Sequence, residues 1–434
     1  MLLTVKVKLD PTREQRDWLW QMSRTANMLY NLALEQRKGY YLRYHKTRPA
    51  INYQYQNAQL VELKESFPEF KRLYSLTAQE VLRQVHKNYN SYWGRLKKQR
   101  ENSNDPTARP PKYRSGKRFF TLSYVQSGFS LDGEALVLSG GNHRREKIKI
   151  SGYTFLPEKI HSLTVSHDAR NDIFYANLVY EYQPAIPEKE APLKVIAFDP
   201  GVKTFLTGAT DDGRLIEIHS SVNQVSKYFD KQIDRVKSLR DRCKKGSRLW
   251  KKRNDVLREL YRRRNAQVKN ELHSTSKLLA ENEWDIISIG NPEKQGMLSK
   301  DPQKKSGNQK INRAVQNNWP LKKFLGYLDY KAEKRGNYAH RADERYSTQT
   351  CSKCAHRQKL DPSVRVYRCP KCGLVMGRDE NAAVNLLNKT LAELARPPVE
   401  SEDFTACVVY HRTPWGKWYT ETSRVHNMAL APGA

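Results

Sequence analysis

Four of the six cysteines fall within 22 residues, as Cys351-x-x-Cys354 and Cys369-x-x-Cys372. Two knuckles separated by 14 residues offer four thiolates at the spacing tetrahedral zinc prefers, and Gly373 permits the tight turn after the last one. Four protein ligands close the coordination shell, so one structural zinc ion is expected. In a reducing compartment the pattern reads as metal ligands, not disulfides. His356 is read as a surface residue, and Cys243 and Cys407 stand alone. A second chemistry needs carboxylates. Asp199 ends the apolar run that starts at Leu193, and Arg378-Asp379-Glu380-Asn381 opens a helix just after the second knuckle. Two such acids often only cap backbone amides. Two-ion phosphodiester cleavage usually needs three or so, converging on ions about 3.5–4 Å apart. A third must come from elsewhere.

The elements that would position these groups can be read from periodicity. Residues 1–10 alternate apolar and polar, which predicts a strand, and Thr12 with Gln15 forms a capping-box pattern that opens a helix. Helical patterns continue to about residue 98. The stripe Val81, Val85, Tyr89, Tyr92, Trp93 suits core packing, with nucleic-acid stacking as the alternative. Residues 101–118 are a Pro-rich basic linker carrying Lys112 and Arg114, and 119–185 read as short antiparallel strands that residues 1–10 could join. Beyond the prolines at 184, 187 and 192 come a strand ending at Asp199, a second at 205–208 and a hairpin turn at Asp211-Asp212-Gly213. A long helical pair over 222–282 is broken at Gly246-Ser247. A buried strand at 285–289, a polar mobile loop at 294–311 and an amphipathic helix from Trp319 to Lys334 follow. Residues 396–434 are Pro-containing and expected to be poorly ordered.

Charge sets the class of partner. With 77 Lys+Arg against 46 Asp+Glu the net charge is +31, which calls for a polyanion and makes nucleic acid the leading partner. Between Lys227 and Lys269, 17 basic residues face 5 acidic ones, and Lys251 and Arg253 lie in that stretch. The 44 aromatic residues are too many for a disordered basic tail. No run approaches the roughly 20 apolar residues of a membrane span, so no membrane partner is expected.

In combination the motifs resemble the transposon-encoded TnpB nucleases, their Fanzor relatives and the type V CRISPR effectors. The resemblance runs over most of 1–390. It rests on Lys8-Leu9-Asp10-Pro11-Thr12-Arg13-Glu14-Gln15, Tyr30-Asn31-Leu32-Ala33-Leu34, Phe198-Asp199-Pro200-Gly201-Val202-Lys203, Asn270-Glu271-Leu272-His273, Tyr330-Lys331-Ala332-Glu333, Thr348-Gln349-Thr350-Cys351-Ser352-Lys353-Cys354 and Arg378-Asp379-Glu380-Asn381-Ala382-Ala383. It implies a multidomain α+β and α/β chain. A β-barrel wedge would comprise 1–10 and 119–190, and a helical recognition lobe with its linker 11–118. A RuvC-like RNase H domain would span 191–344 and 374–395, with a zinc ribbon at 345–373 and a tail at 396–434. Asp199 and Asp379 would be the first and last catalytic acids. The middle acid normally closes the strand at Ile287-Ser288-Ile289, where Gly290 stands instead. Some relatives supply it from just ahead of the ribbon, so Glu344 is the expected third ligand, with Asp343 and Glu293 as substitutes.

The resemblance thus implies an RNA-guided DNA endonuclease. It would hold two Mg²⁺ ions on Asp199, Glu344 and Asp379, leave a 5′-phosphate and a 3′-hydroxyl, and read a short flanking motif through Tyr53, Gln84 and Lys87. Lys112, Arg114, Lys251 and Arg253 are further nucleic-acid candidates. The expected partners are a transposon-derived guide RNA and target double-stranded DNA, with the protein a monomer on its RNA. It would be cytoplasmic in a prokaryote or nuclear in a eukaryote. A nuclease-inactive guided repressor and a guide-independent RNase H-like transposase are the competing readings.

Overall fold

The structure, a computed structural model, describes the chain apart from residues 45–46, 48–49, 102–106, 154, 185–191, 202–203, 292–319, 362–363, 414–415 and 425–434. The chain divides into two compact units, Met1–Tyr182 and Gln183–Ala434.

In the first unit, strand β1 (Leu2–Asp10) buries Val7 and Leu9 while Lys6 faces out, as its alternation requires. The capping box forms: Gln15 N donates to Thr12 Oγ1 at 3.3 Å, and Thr12 N donates to Gln15 Oε1 at 3.1 Å. Helices α1 (Arg13–Tyr44), α2 (Tyr53–Ala58), α3 (Leu60–Ser66) and α4 (Ser75–Glu101) follow. Strands β2 (Leu122–Val125), β3 (Phe129–Asp132), β4 (Ala135–Ser139), β5 (Arg145–Ser151), β6 (Ile160–Asp168) and β7 (Ile173–Glu181) join β1 in one antiparallel sheet, ordered β2-β6-β7-β1-β5-β4-β3. Among the described residues no ladder joins the end strands β2 and β3. Leu19, Met22 and Leu29 of α1 and Val81 and Val85 of α4 share one core with Ile148, Leu163 and Leu178 of the sheet. The expected split between helical lobe and wedge therefore cuts through a single core. The core reading of the aromatic stripe holds at Val81 and Val85, which are buried, whereas Trp93 is 39% exposed.

In the second unit, β8 (Val195–Pro200), β9 (Leu206–Thr210) and β10 (Arg214–His219) form an antiparallel run, with Gly213 at φ +82° making the hairpin turn. The helical pair is α5 (Val222–Asp241) and α6 (Arg248–Glu281), and Ser247 Oγ caps α6 by accepting from Trp250 N at 3.2 Å. Then come β11 (Ile286–Gly290), α7 (Leu321–Arg335), β12 (Tyr338–Ala342), β13 (Val366–Arg368), β14 (Val375–Gly377) and α8 (Arg378–Glu393). The expected loop at 294–311 and helix start at Trp319 lie outside the described residues. β8, β11 and β12 are parallel neighbours. Ile196 and Phe198 of β8 pack in the cluster that contains α7, and Val195 and Ala197 in the one that contains α8, so a helix covers each sheet face.

The tail departs from expectation. Two strands lie there, β15 (Ala406–Arg412), parallel to β10, and β16 (Trp418–Arg424), extending the sheet to the order β12-β11-β8-β9-β10-β15-β16. Phe404 is 1% exposed, and Val408, Tyr410 and Trp418 pack on the sheet core. The apolar, β-branched run pairs with β10, whose backbone groups would otherwise lie open. Among the described residues no helix is long and apolar enough to cross a membrane.

Candidate functional site

Asp199 lies near the carboxyl end of β8 and alternates with Val195 and Ala197, so it shares their sheet face, which α8 covers. The parallel register sets Ile289 opposite Phe198 and Gly290 opposite Ala342. Two residues past Ala342, Glu344 folds back over the end of β11. A Cβ built on Gly290 would stand 2.6 Å from Glu344 Cγ and 2.8 Å from its carboxyl carbon, so only glycine leaves that space open. Asp379 is in the first turn of α8, where Arg378 Nη2 donates to its Oδ1 at 2.8 Å and Arg365 approaches at 3.7 Å.

The electrostatics join the three acids through Asp199. Burial pushes Asp199 up to about 7, with the Asp379 carboxylate adding to the effect and Arg378 opposing it. Burial pushes Glu344 up to about 8, with Asp199 and then Asp343 adding and Lys389 opposing. Burial is the main cause at both carboxyls, and among the described residues only the four cysteines have ligand atoms close enough together to hold an ion as they stand. Asp343, a substitute at the sequence level, is exposed and accepts from Arg345 N at 3.0 Å. Glu293 lies outside the described residues. Glu380 caps its own helix, accepting from Gly377 N at 3.1 Å.

Sequence reading missed the residues that aim Glu344. Asn381, Asn385 and Lys389 recur every four residues and so share one face of α8. Asn381 Nδ2 donates to Thr350 O at 2.8 Å, and Asn385 Nδ2 to Ser347 O at 2.8 Å. Lys389 Nζ donates to Asp343 O at 2.9 Å and Arg345 O at 2.8 Å, the carbonyls flanking Glu344. The four-residue spacing was visible, but its partners were not. A second set ties α8 to the strands: Thr390 Oγ1 donates to Ser288 Oγ at 2.8 Å, Ser288 meets His340 Nδ1 at 2.9 Å, and His340 Nε2 lies 3.0 Å from Glu393. This looks like a hydrolase triad, yet Ser288 is fully buried and no substrate can reach it.

The cysteine quartet forms one cluster. The ligand atoms of Cys351, Cys354, Cys369 and Cys372 all lie within 4.8 Å of one another. Cys351 and Cys372 Sγ are 3.5 Å apart, and Cys354 and Cys369 Sγ 3.6 Å. A tetrahedron with Zn–S bonds of about 2.3 Å has edges of about 3.8 Å, so the four thiols fit zinc. Both knuckles turn alike: Ala355 (φ +56°) and Gly373 (φ +73°) each follow a second cysteine and donate N–H to the first one's carbonyl, at 3.0 and 3.1 Å. His356 contributes a carbonyl to Cys351 N at 2.9 Å.

The nucleic-acid candidates separate. Lys87, Lys112 and Lys251 are exposed. Tyr53 opens α2 under the Arg83 guanidinium, and Gln84 donates to Asn88 at 2.8 Å. Arg114 and Arg253 have internal partners. The Arg114 guanidinium lies 4.6 Å from both the Tyr30 and Phe120 rings, and Arg253 Nη1 donates to Leu239 O at 2.5 Å, closing the α5–α6 hairpin.

With the mixed sheet, the buried Asp199 and the four-thiol cluster ahead of α8 in place, the chain can be compared with known proteins. Residues 1–46 match the helix-turn-helix domain of the OrfB_IS605 type, 177–296 the OrfB_IS605 family described as a probable transposase, and 322–386 the Cas12f1-like TNB domain. These models match three separate parts of the chain, none of them half of it. The chain is 28% identical over 247 residues to TnpB-like protein L770 of Acanthamoeba polyphaga mimivirus, a match covering 56% of this chain but 45% of that protein, so it spans less than half of that relative. It is 25% identical over 423 residues to a protein of Streptomyces pristinaespiralis named "Putative RNA-guided DNA endonuclease", covering 91% and 92% of the two chains. The fold is similar to that of Cas12f1 in its complex with single-guide RNA and target DNA, with a TM-score of 0.59 and 15% identity over 87% of this chain and 84% of the other.

Proposed function

We propose that this protein is an RNA-guided DNA endonuclease whose RuvC-like site is completed by Glu344. The carrying observation is the Glu344 carboxyl group lying over Gly290, on the strand next to the one that ends at Asp199. Support for the RuvC-like assignment comes from the order β10-β9-β8-β11-β12, three antiparallel strands followed by two parallel ones. The near-full-length Streptomyces relative supports the activity class.

In this reading Asp199, Glu344 and Asp379 would hold two Mg²⁺ ions. When bound, the ions supply Lewis-acid activation of water and stabilise the leaving oxygen. The chain's own part is to hold three carboxylates in place: β8 fixes Asp199, the first turn of α8 fixes Asp379, and Lys389 fixes the backbone on both sides of Glu344. The zinc ribbon braces the segment between Glu344 and Asp379. A guide RNA would pair with one DNA strand and supply sequence specificity, and the excess of basic residues would hold the backbones.

The repressor reading rests on the missing acid at 290, which the position of Glu344 offsets. The test is to purify the protein with its bound RNA, sequence that RNA, and present a matching DNA target with Mg²⁺. Target cleavage supports the proposal; guided binding without cleavage favours the repressor, and no co-purifying RNA favours a guide-independent nuclease.

A further inference from the structure

An aromatic cleft of about 560 Å³ in the first unit is used by nothing described so far. Its size falls within the roughly 300–1,000 Å³ of small-ligand pockets. Arg37, Tyr40, Tyr41, His86, Tyr92 and Trp93 line it, and none of its described lining residues is an Asp or Glu. Arg37 is only 6% exposed. Its Nε donates to Gln56 Oε1 at 2.7 Å, and Gln56 is itself fixed by donating to Ala33 O at 2.9 Å and Gln36 at 2.8 Å. Arg37 Nη2 and His86 Nδ1 are both shielded from water and have no hydrogen-bond partner. A buried guanidinium without a counter-charge, with one donor unpaired, is costly unless something arrives to accept from it. At the mouth, Tyr41 is 48% and Trp93 39% exposed, with ring centroids 6.3 Å apart. Exposed flat rings beside a buried planar donor suit a flat ligand with acceptors on one edge. Guanine presents O6 and N7 as an acceptor pair that arginine reads, and aromatic side chains stack unpaired bases.

We propose that this cleft takes an unstacked guanine base of a bound nucleic-acid strand, stacked on Tyr41 and Trp93 with its O6/N7 edge toward Arg37. The acceptor the base brings satisfies the unpaired Nη2 donor. Hydrogen-bond complementarity favours this occupant over an apolar peptide, which would leave Arg37 Nη2 unpaired.

The test measures binding of the full-length protein to a short uridine-rich RNA carrying one central guanine, to the same strand with adenine there, and to the DNA versions of both. The guanine strand should bind about tenfold tighter than the adenine strand. Trp93→Ala, at a part-exposed position that should tolerate truncation, should weaken the guanine strand at least about fivefold. Arg37→Lys keeps a cation but removes the planar fork, so guanine and adenine strands should then bind equally. If Arg37→Lys does not fold, a central 6-thioguanine and photo-crosslinking to the wild type decide, with the crosslink expected on a peptide containing Tyr41 or Trp93. A guanine preference with RNA alone assigns the base to an RNA strand, and one with both sugars supports the pocket for either strand. Equal affinity for guanine and adenine in the wild type, no effect of Trp93→Ala, or a crosslink outside the cleft would each overturn the proposal.

Discussion

Gly290 and Glu344 exclude each other's larger alternatives: the side chain of Glu344 fills the space that any Cβ at position 290 would need, to within 2.6 Å of its Cγ. Gly290 closes β11 opposite Ala342, and Glu344 follows two residues past the end of β12. A glycine at 290 and a glutamate at 344 are thus two halves of one steric fit.

Adding a carboxylate at 290 should therefore harm the site. Gly290→Glu and Gly290→Ala both push Glu344 aside, and a displacement of about 1 Å at a reacting centre costs about a hundredfold in rate. Single-turnover cleavage should fall by about that much while guided DNA binding holds. Gly290→Glu with Glu344→Ala should recover part of the loss, since the clash is removed and an acid remains.

Lys389 should act at a distance from the chemistry. Lys389→Met removes both carbonyl contacts around Glu344 and the positive charge that favours its ionisation. Cleavage should drop about tenfold to a hundredfold, and its pH profile should move to higher pH, a shift that a merely structural loss would not produce.

Metal-free stability should fall as pH rises. Asp199 and Glu344 are held near 7 and 8, well above ordinary carboxylates, so between about pH 4 and 8 the folded chain binds more protons than the unfolded one. Stability from these groups is full at low pH and lost as pH rises through the folded values. Mg²⁺ competes with those protons, so the Tm increase it gives should be larger at pH 8.5 than at pH 6. Differential scanning fluorimetry of the wild type against Asp199→Asn with Glu344→Gln checks this; an equal increase at both pH values, or one that survives in the double variant, contradicts it.

Zinc should be structural and separable from the acid site. Elemental analysis should find one zinc per chain, and Cys354→Ser or a strong chelator should remove it. The ribbon has a small core of Cys351, Tyr367 and Cys369, and Asn381 ties it to α8. Its loss should lower Tm and loosen the start of α8, and added Mg²⁺ should not restore either.

Much of this was legible in the sequence where the signal is local. The β1 alternation, the Thr12–Gln15 cap, the Gly246-Ser247 break and the cysteine spacing each depend on neighbours within a few residues. What was not legible depends on distant partners. Nothing near Val408 says that β10 lies open and waits for a strand, so prolines upstream made residues 406–424 read as a loose tail. Arg114 and Arg253 read as free cations because the Tyr30 ring and the Leu239 carbonyl they meet lie 84 and 14 residues away. Glu344 could be named only through the family resemblance, and the reason it fits, the space over Gly290, is visible only in three dimensions.

The most direct measurement is cleavage of a guided double-stranded target by the RNA-loaded protein in Mg²⁺, comparing the wild type with Glu344→Gln while DNA binding is followed in parallel. The account expects the wild type to cut, and Glu344→Gln to bind equally well while cutting about a thousandfold more slowly or less. Undiminished cutting by Glu344→Gln would contradict it, because the third acid would then come from somewhere else.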